Sequence, residues 1–509
     1  MSARYGRDRR SVLLPAPAGR PRVADPAPSV AVVGGGIAGL TAATALAERG
    51  VRVTLHEREP VLGGRLAGWP VQLADGSAVT MSRGFHAFFR QYYNLRALLR
   101  RTDPGLARLR GLPDYPLVHR DGLTDGFARV PRTPPFSALG FVALSPSFGW
   151  RDLLRMDPRA ALPLLDVRVP EVYRRLDGIS ARDYLEEIRF PAAARHLAFE
   201  VFSRSFFADP RQLSAAELAL MFHIYFLGSS EGLLFDVPTE PFPTALWDPL
   251  AARLDRLGTE VRTECGVEEV DPGTADGPSV TAGGRSTRYD AVVLALDTGG
   301  LRRLVAASPR LGDEPWRARV LAAREAPPFL VSRLWLDRPV APERAGFLGT
   351  SGFGSLDNIS VLDRWEGEAA RWAARHGGGV VELHAYALAP DADRAAEQAR
   401  LLQQLHRVYP ETARARVVDQ RHEWRADCPL FPVGGYAQRP PVTTAHPTVV
   451  LAGDHVRSGL PVALMERAAT TGFQAANALL TRWGVRGHPL RTVPRRGRVA
   501  VLRALARGK

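Results

Sequence analysis

Val30–Gly39, VAVVGGGIAG, decides the fold of this 509-residue chain. The apolar run Val30–Val33 reads as a buried parallel strand. Gly34, Gly36 and Gly39 then spell G-x-G-x-x-G, and Ile37–Arg49 has the Ala/Leu content of a helix. Each glycine has a physical task. Gly34 permits a tight turn, Gly36 lets backbone approach a pyrophosphate, and Gly39 lets helix pack on strand. Phosphates sit at such a helix N-terminus because free N–H groups and the dipole favour anions. Gly50 ends the helix, and Val51–His56 reads as the second strand. Glu57 closes it, about twenty residues on, where a carboxylate accepts from ribose hydroxyls. Strand, glycines, helix, strand and acid in this order specify a dinucleotide site.

The length exceeds what one core supports, so at least two domains are expected. Cys265 and Cys428 are the only cysteines. They suggest neither a disulfide framework nor a metal site, and a reducing cytoplasm is the default. No apolar run reaches the roughly 18 residues of a spanning helix. Near the N-terminus, SVLL between Arg10 and the prolines is too short for a signal core. The formal charge is +14, but it is concentrated at the ends. The first 29 residues carry +4 and residues 482–509 carry +9, which leaves the body close to neutral. Such tails are either solvated ends or attractors of an anionic membrane, each nearby cation adding about 1 kcal/mol. Arg498–Arg507 has the pattern of a short basic amphipathic helix. No aromatic-basic module accompanies the tails, which argues against nucleic acid. The one lysine is Lys509.

The expected class is α/β. Residues 29–100, 241–300 and 421–481 read as a discontinuous Rossmann-like domain. Residues 101–240 and 301–420 read as an inserted α+β substrate domain. Residues 1–28 read as a disordered basic lead and 482–509 as a basic tail. Asp290–Ala295 and Val449–Ala452 read as buried strands, and Met465–Leu480 as the closing helix. Ser214 and Glu217 form a capping-box pattern ahead of Leu218–Phe226. Pro135–Trp150, PFSALGFVALSPSFGW, is apolar but broken by Pro, Gly and Ser. It reads as core, or as a surface patch in which Leu139, Phe141, Phe148 and Trp150 meet lipid.

Gly63-Gly64-Arg65 follows the second strand. This placement resembles the flavin amine oxidase and phytoene desaturase superfamily. The resemblance implies FAD in a GR2-type Rossmann-like domain. Gly34, Gly36, Gly39, Glu57, Arg58, Gly63, Gly64 and Arg65 would line the cofactor. Leu451-Ala-Gly-Asp454 resembles the closing motif of that superfamily, placing Gly453 and Asp454 near the ribityl or pyrophosphate. The helix beginning at Met465 would aim its N-terminus at the flavin, favouring an anionic reduced state. Val267 matches the position whose backbone meets adenine.

Gly84-Phe-His-Ala-Phe-Phe-Arg-Gln-Tyr-Tyr-Asn-Leu95 resembles the GxHxFFxxYxNL signature of carotenoid desaturases. Leu464–Gly472, Leu356–Ala369 and Val381–Tyr386 extend the likeness toward bacterial β-carotene desaturase/methyltransferases, the isorenieratene synthases. It covers about residues 29–480. Ser82 departs from an acid often found before the glycine-aromatic-histidine motif. The resemblance implies desaturation of β-carotene rings with methyl migration from C1 to C2 and aromatisation. The basic tails and the apolar patch suggest a peripheral position on the inner face of the membrane, and the lack of an internal lysine to aid oxygen reactivity suggests a membrane quinone as electron acceptor. Gly84 would let backbone approach the flavin. Phe85, Phe88 and Phe89 would wall a polyene. His86 and Glu382 are the candidate proton acceptors, with Glu382 and His384 alternating on one strand face. The alternatives are an acyclic phytoene or ζ-carotene desaturase, a carotenoid isomerase, or a flavin amine oxidase. Amine oxidases commonly use an internal lysine near the flavin, and this chain has none.

Overall fold

The computed structural model describes residues 8–194, 206–273, 276–497 and 500–507. Five parallel strands run in the order Glu260–Arg262, Arg52–His56, Ser29–Val33, Ala291–Leu294, Val449–Leu451. Their apolar residues are buried on both faces, as expected of a parallel sheet covered by helices. The helix Ile37–Ala47 is buried along its whole length, held between this sheet and the closing helix Leu464–Arg482. Two glycines make that sandwich possible. A Cβ on Gly39 would stand 1.8 Å from the Gly34 carbonyl oxygen, and one on Gly472 would stand 2.5 Å from that of Ala38. Gly39 therefore does what the motif requires: it brings the helix onto the strand end.

The second domain is built on a seven-stranded, largely antiparallel sheet. Its order is Val417–Arg425, Phe329–Leu336, Gly379–Ala385, Asn358–Val361, Phe347–Ser351, Leu117–His119, Thr124–Asp125. The central strands Phe329–Leu336 and Gly379–Ala385 are buried at every residue. A helical layer that includes Glu171–Leu176, Ala181–Glu187 and Ala215–Phe222 packs beside it.

Several expectations need correction. Val417–Arg425 belongs to the second sheet, so that domain extends past residue 420. The helices Thr298–Ala307 and Glu314–Leu321 pack Leu301, Leu304, Trp316 and Val320 into the core of the parallel sheet. The first domain therefore extends past residue 300. The lead and the tail are not loose where they are described. Val12–Leu14 pairs antiparallel with Leu490–Thr492. Asn94 fixes the second of these strands through its side-chain amide, which donates to the Arg491 carbonyl and accepts from the Arg491 N–H. Ala500–Arg507 is helical, as its pattern predicts; Arg498 and Lys509 lie outside the described residues. Ser214 caps its helix by accepting from the Ala216 N–H, but Glu217 turns into the interior instead of completing a box.

Gly39→Ala is expected to destabilise the protein by about 3 kcal/mol, the upper part of the overpacking range. A lowered melting temperature in a thermal melt checks it.

Candidate active site

One cavity of about 600 Å³ runs from the carboxyl ends of the parallel strands into the second domain. Its first end is made by backbone. Gly36 bridges Gly63, and the Gly63 N–H donates to the Gly35 carbonyl at 2.9 Å. A Cβ on Gly64 would stand 3.1 Å from the Gly36 Cα, so any side chain there would narrow the groove. The Glu57 carboxylate is held by the N–H groups of Gly35 and Glu59, at 2.7 and 2.9 Å. Arg58 and Val267 line the same end. Gly34, with φ +108°, makes the turn, and its missing Cβ leaves room for the Ala295 carbonyl. This groove of bare backbone at a helix N-terminus, flanked by a fixed carboxylate, fits a dinucleotide diphosphate and its ribose.

The other anchor comes from the end of the chain. Asp454 pairs with Arg65 at 2.6 Å. Burial alone would raise the Asp454 carboxyl, but the adjacent guanidinium outweighs it and holds the group below its ordinary range. Leu464 enters the closing helix at φ +52° without a side-chain cap, and Leu464, Met465 and Ala468 face the cavity. The uncapped N–H groups of that helix thus lie at the cavity wall, where negative charge is favoured.

The pair is continued inward by charge. Arg467 donates to the Asp454 carbonyl at 3.2 Å and to Glu217 at 2.9 Å. Arg439 reaches the other Glu217 oxygen at 2.5 Å, and the Tyr173 hydroxyl donates to it at 2.7 Å. Burial opposes ionisation of Glu217, yet Arg439, Arg467 and Tyr173 bring it down to about 2. Only the sequence spacing of Ser214 and Glu217 was visible beforehand, and it pointed to a cap.

The far end of the cavity is aromatic. Phe85 packs on Phe347 with ring centroids 4.2 Å apart, Phe89 on Tyr225 at 4.6 Å, and Phe207 on Tyr386 at 4.9 Å. Phe85 and Phe89 line the chamber as expected. Phe88 does not. It is wholly buried in the core of the first domain, because successive side chains of an extended segment point to opposite sides. Gly84 also serves a different neighbour. A Cβ there would stand 2.5 Å from Cε1 of His384, so the glycine makes room for an imidazole. His86 lines the cavity, and its Nδ1–H donates to the Gly84 carbonyl at 2.9 Å. Burial lowers its pKa to about 4, so it is a neutral acceptor at Nε2.

Glu382 is not a free base. Arg333 binds one of its oxygens through Nε and Nη2, at 2.9 and 2.8 Å. The other accepts from the Phe85 N–H at 2.7 Å and from His384 at 2.9 Å. Against the opposing effect of burial, Arg333 and His384 pull it down to about 2. Ser82, where an acid was missed, accepts from Arg333 Nη2 at 2.8 Å. Arg333, Tyr115, Tyr225, Phe235 and Phe347 were not foreseen. Each sits in an apolar or mixed run whose facing neighbour is far away in sequence.

A family model, flavin containing amine oxidoreductase, matches residues 37–480. The chain belongs to that family. It is an FAD-dependent oxidoreductase, and the glycine groove and Arg65–Asp454 pair are the candidate residues that would hold FAD. A carotenoid phi-ring synthase of Streptomyces griseus is 73% identical over 99% of this chain and 97% of its own length. A second carotenoid phi-ring synthase, of Chlorobaculum tepidum, is 28% identical over 92% of this chain and 90% of its own. Putrescine oxidase bound to putrescine shares the fold, with a TM-score of 0.66 at 18% identity, over 89% of this chain and 99% of that one.

Glu217→Gln leaves two buried guanidinium groups uncompensated and is expected to cost about 3–5 kcal/mol at neutral pH. The folded-state pKa of about 2 lies below the ordinary 4.5. The stabilisation is therefore complete above that ordinary value and is lost as pH falls toward 2. Urea melts of the two proteins should diverge at pH 7 and converge below the ordinary carboxylate range.

Proposed function

We propose that this protein desaturates the rings of β-carotene with intramolecular methyl migration, producing aromatic end groups of the isorenieratene type. The observation that carries the reading is the aromatic chamber that opens directly from the cofactor groove. The name of the 73% identical relative supports it. When bound, FAD supplies the capacity to accept a hydride from an allylic carbon. The chain supplies the environment for the cation that remains. Rings of Phe85, Phe89, Tyr225 and Phe347 present faces that stabilise positive charge. Their packing excludes water, which would otherwise trap a ring cation before a methyl shifts from C1 to C2. The shift needs no methyl donor. His86, neutral and fixed by the Gly84 carbonyl, adds a hydrogen-bond acceptor without adding a repelling charge.

A β-carotene substrate is delivered from lipid, and one face of the protein suits that task. Phe136 (61% exposed), Leu139 (62%), Trp150 (67%) and Leu154 (77%) stand out on the short helices Phe136–Leu144 and Trp150–Arg155. Phe141 is buried, which fits the core reading of this segment and not the patch reading. It stacks on Phe127 at 5.1 Å, and Phe127 meets Tyr115 of the chamber at 5.5 Å. Aromatic contacts thus run from the helix that carries Phe136 and Leu139 to the wall of the cavity. The helix Ala500–Arg507 packs beside Leu162–Asp166. Among the described residues no helix is long and apolar enough to cross a membrane. We read this face as the peripheral contact with the inner leaflet, and a membrane quinone as the acceptor of the electrons.

Expression in a β-carotene-producing host should yield aromatic carotenoids with an unchanged carbon count, read by chromatography and mass spectrometry. Conversion of acyclic carotenes alone would instead identify an acyclic desaturase. Trp150→Ser combined with Leu154→Ser is expected to weaken liposome flotation at least tenfold, since each side chain transfers about 1.5–3 kcal/mol of apolar burial. FAD content should not change.

A further inference from the structure

The strand Gly379–Ala385 points Glu382 and His384 to the same side, and Tyr386 follows at its end. These three residues form a continuous hydrogen-bonded series. Arg333 holds one oxygen of Glu382, and the other lies 2.9 Å from Nε2 of His384. Nδ1 of His384 lies 2.7 Å from the Tyr386 hydroxyl. The Asn358 side-chain amide donates to the same hydroxyl at 3.0 Å.

The protons in this series can be assigned by elimination. Glu382 is ionised and only accepts, so Nε2 of His384 carries a hydrogen, and the Phe85 N–H, 3.3 Å from Nε2, donates to Glu382 at 2.7 Å instead. Nδ1 is then a lone pair, and the Tyr386 hydroxyl donates to it. The tyrosine oxygen accepts from Asn358 and keeps one lone pair. Tyr386, His384 and Asn358 all line the aromatic chamber. The ring of His384 fills the space a Gly84 Cβ would take, which fixes its orientation. An ionised carboxylate, an oriented imidazole and a hydroxyl at the cavity wall have the arrangement of an acid–base relay.

We propose that Tyr386 takes the proton lost from the substrate and that His384 takes the proton of Tyr386. The inference rests on the ring-desaturation reading above. In the step, a C–H bond next to the carotenoid cation breaks, and its electron pair becomes the new C=C bond. The proton binds the free lone pair of the Tyr386 oxygen as the hydroxyl proton moves to Nδ1 of His384. The resulting imidazolium faces the Glu382 carboxylate, so the charge is neutralised where it forms. His86 is hydrogen-bonded to the Gly84 carbonyl and not to a carboxylate, and it lies near the positive charge of Arg65 and near His384 as well as Glu382. Glu382 itself is enclosed by Arg333, Phe85 and His384 and acts as a positioning residue.

The test uses FAD-loaded enzyme with β-carotene in liposomes. Tyr386→Phe is expected to lower kcat at least about 100-fold, with KM within about threefold and FAD content unchanged. His384→Ala should fall similarly and recover at least about tenfold on addition of imidazole, which a merely structural role would not allow. Tyr386→Phe turning over at more than a third of the wild-type rate overturns the proposal. So does loss of bound FAD from both variants, because it would make the series a scaffold. If the wild-type enzyme leaves β-carotene untouched but converts an acyclic carotene, the ring reading fails. The same variants then decide the relay on that substrate.

Discussion

A line of buried charge holds the two domains against each other. It runs from Arg439 through Glu217 and Arg467 to the backbone of Asp454, whose side chain meets Arg65. Glu217 belongs to the helical layer of the second domain, Arg467 to the closing helix, and Arg65 to the loop after the second strand. Buried ion pairs contribute little net stability compared with apolar packing, but breaking one is costly. Their value here is geometric. Any shift of the helical layer would leave a charge without its partner. The cavity between the domains therefore has one shape, and the groove and the chamber stay in line.

The sequence was most legible where one residue's task is local. Gly34 and Gly39 are demanded by a turn and a helix contact within the same βαβ unit, and both do what the pattern said. Phe85 and Phe89 were likewise legible as chamber walls, because the GxHxFF run keeps its spacing. Phe88 was misread because a motif names residues without saying which side of the chain each one faces. Glu382 was misread for a different reason. Its character is set by Arg333 on a neighbouring strand, and strand pairing is invisible in a single sequence. The same holds for Glu217, whose partners Arg439 and Arg467 are more than 200 residues away. Local rules assigned it to a cap, and tertiary charge outbid them. The ends of the chain were read as loose from their composition. Their pairing depends on Asn94, which no compositional argument reaches.

The chamber and its surroundings divide the work of handling charge. Aromatic faces tolerate a diffuse cation in the middle. Ionised groups are kept at the periphery, each already paired: Arg65 with Asp454, Arg333 with Glu382. Few free ions remain to quench a carbocation, and the neutral His86 fits the same pattern. A cavity for a soluble amine has the opposite need, since its substrate arrives charged and must be recognised as such. The same fold thus serves different chemistry through the side chains beyond the cofactor.

The parallel sheet also has a consequence for synthesis. Its first strands and glycine turn leave the ribosome early, but Val449–Leu451, Asp454 and the helix that covers Ile37–Ala47 are made last. Val12–Leu14 waits longer still for Leu490–Thr492. The two halves of the nucleotide groove are thus separated by about 400 residues of chain. The groove can close on a cofactor only once Asp454 and the closing helix have joined the glycine turn, so its two halves meet late in folding.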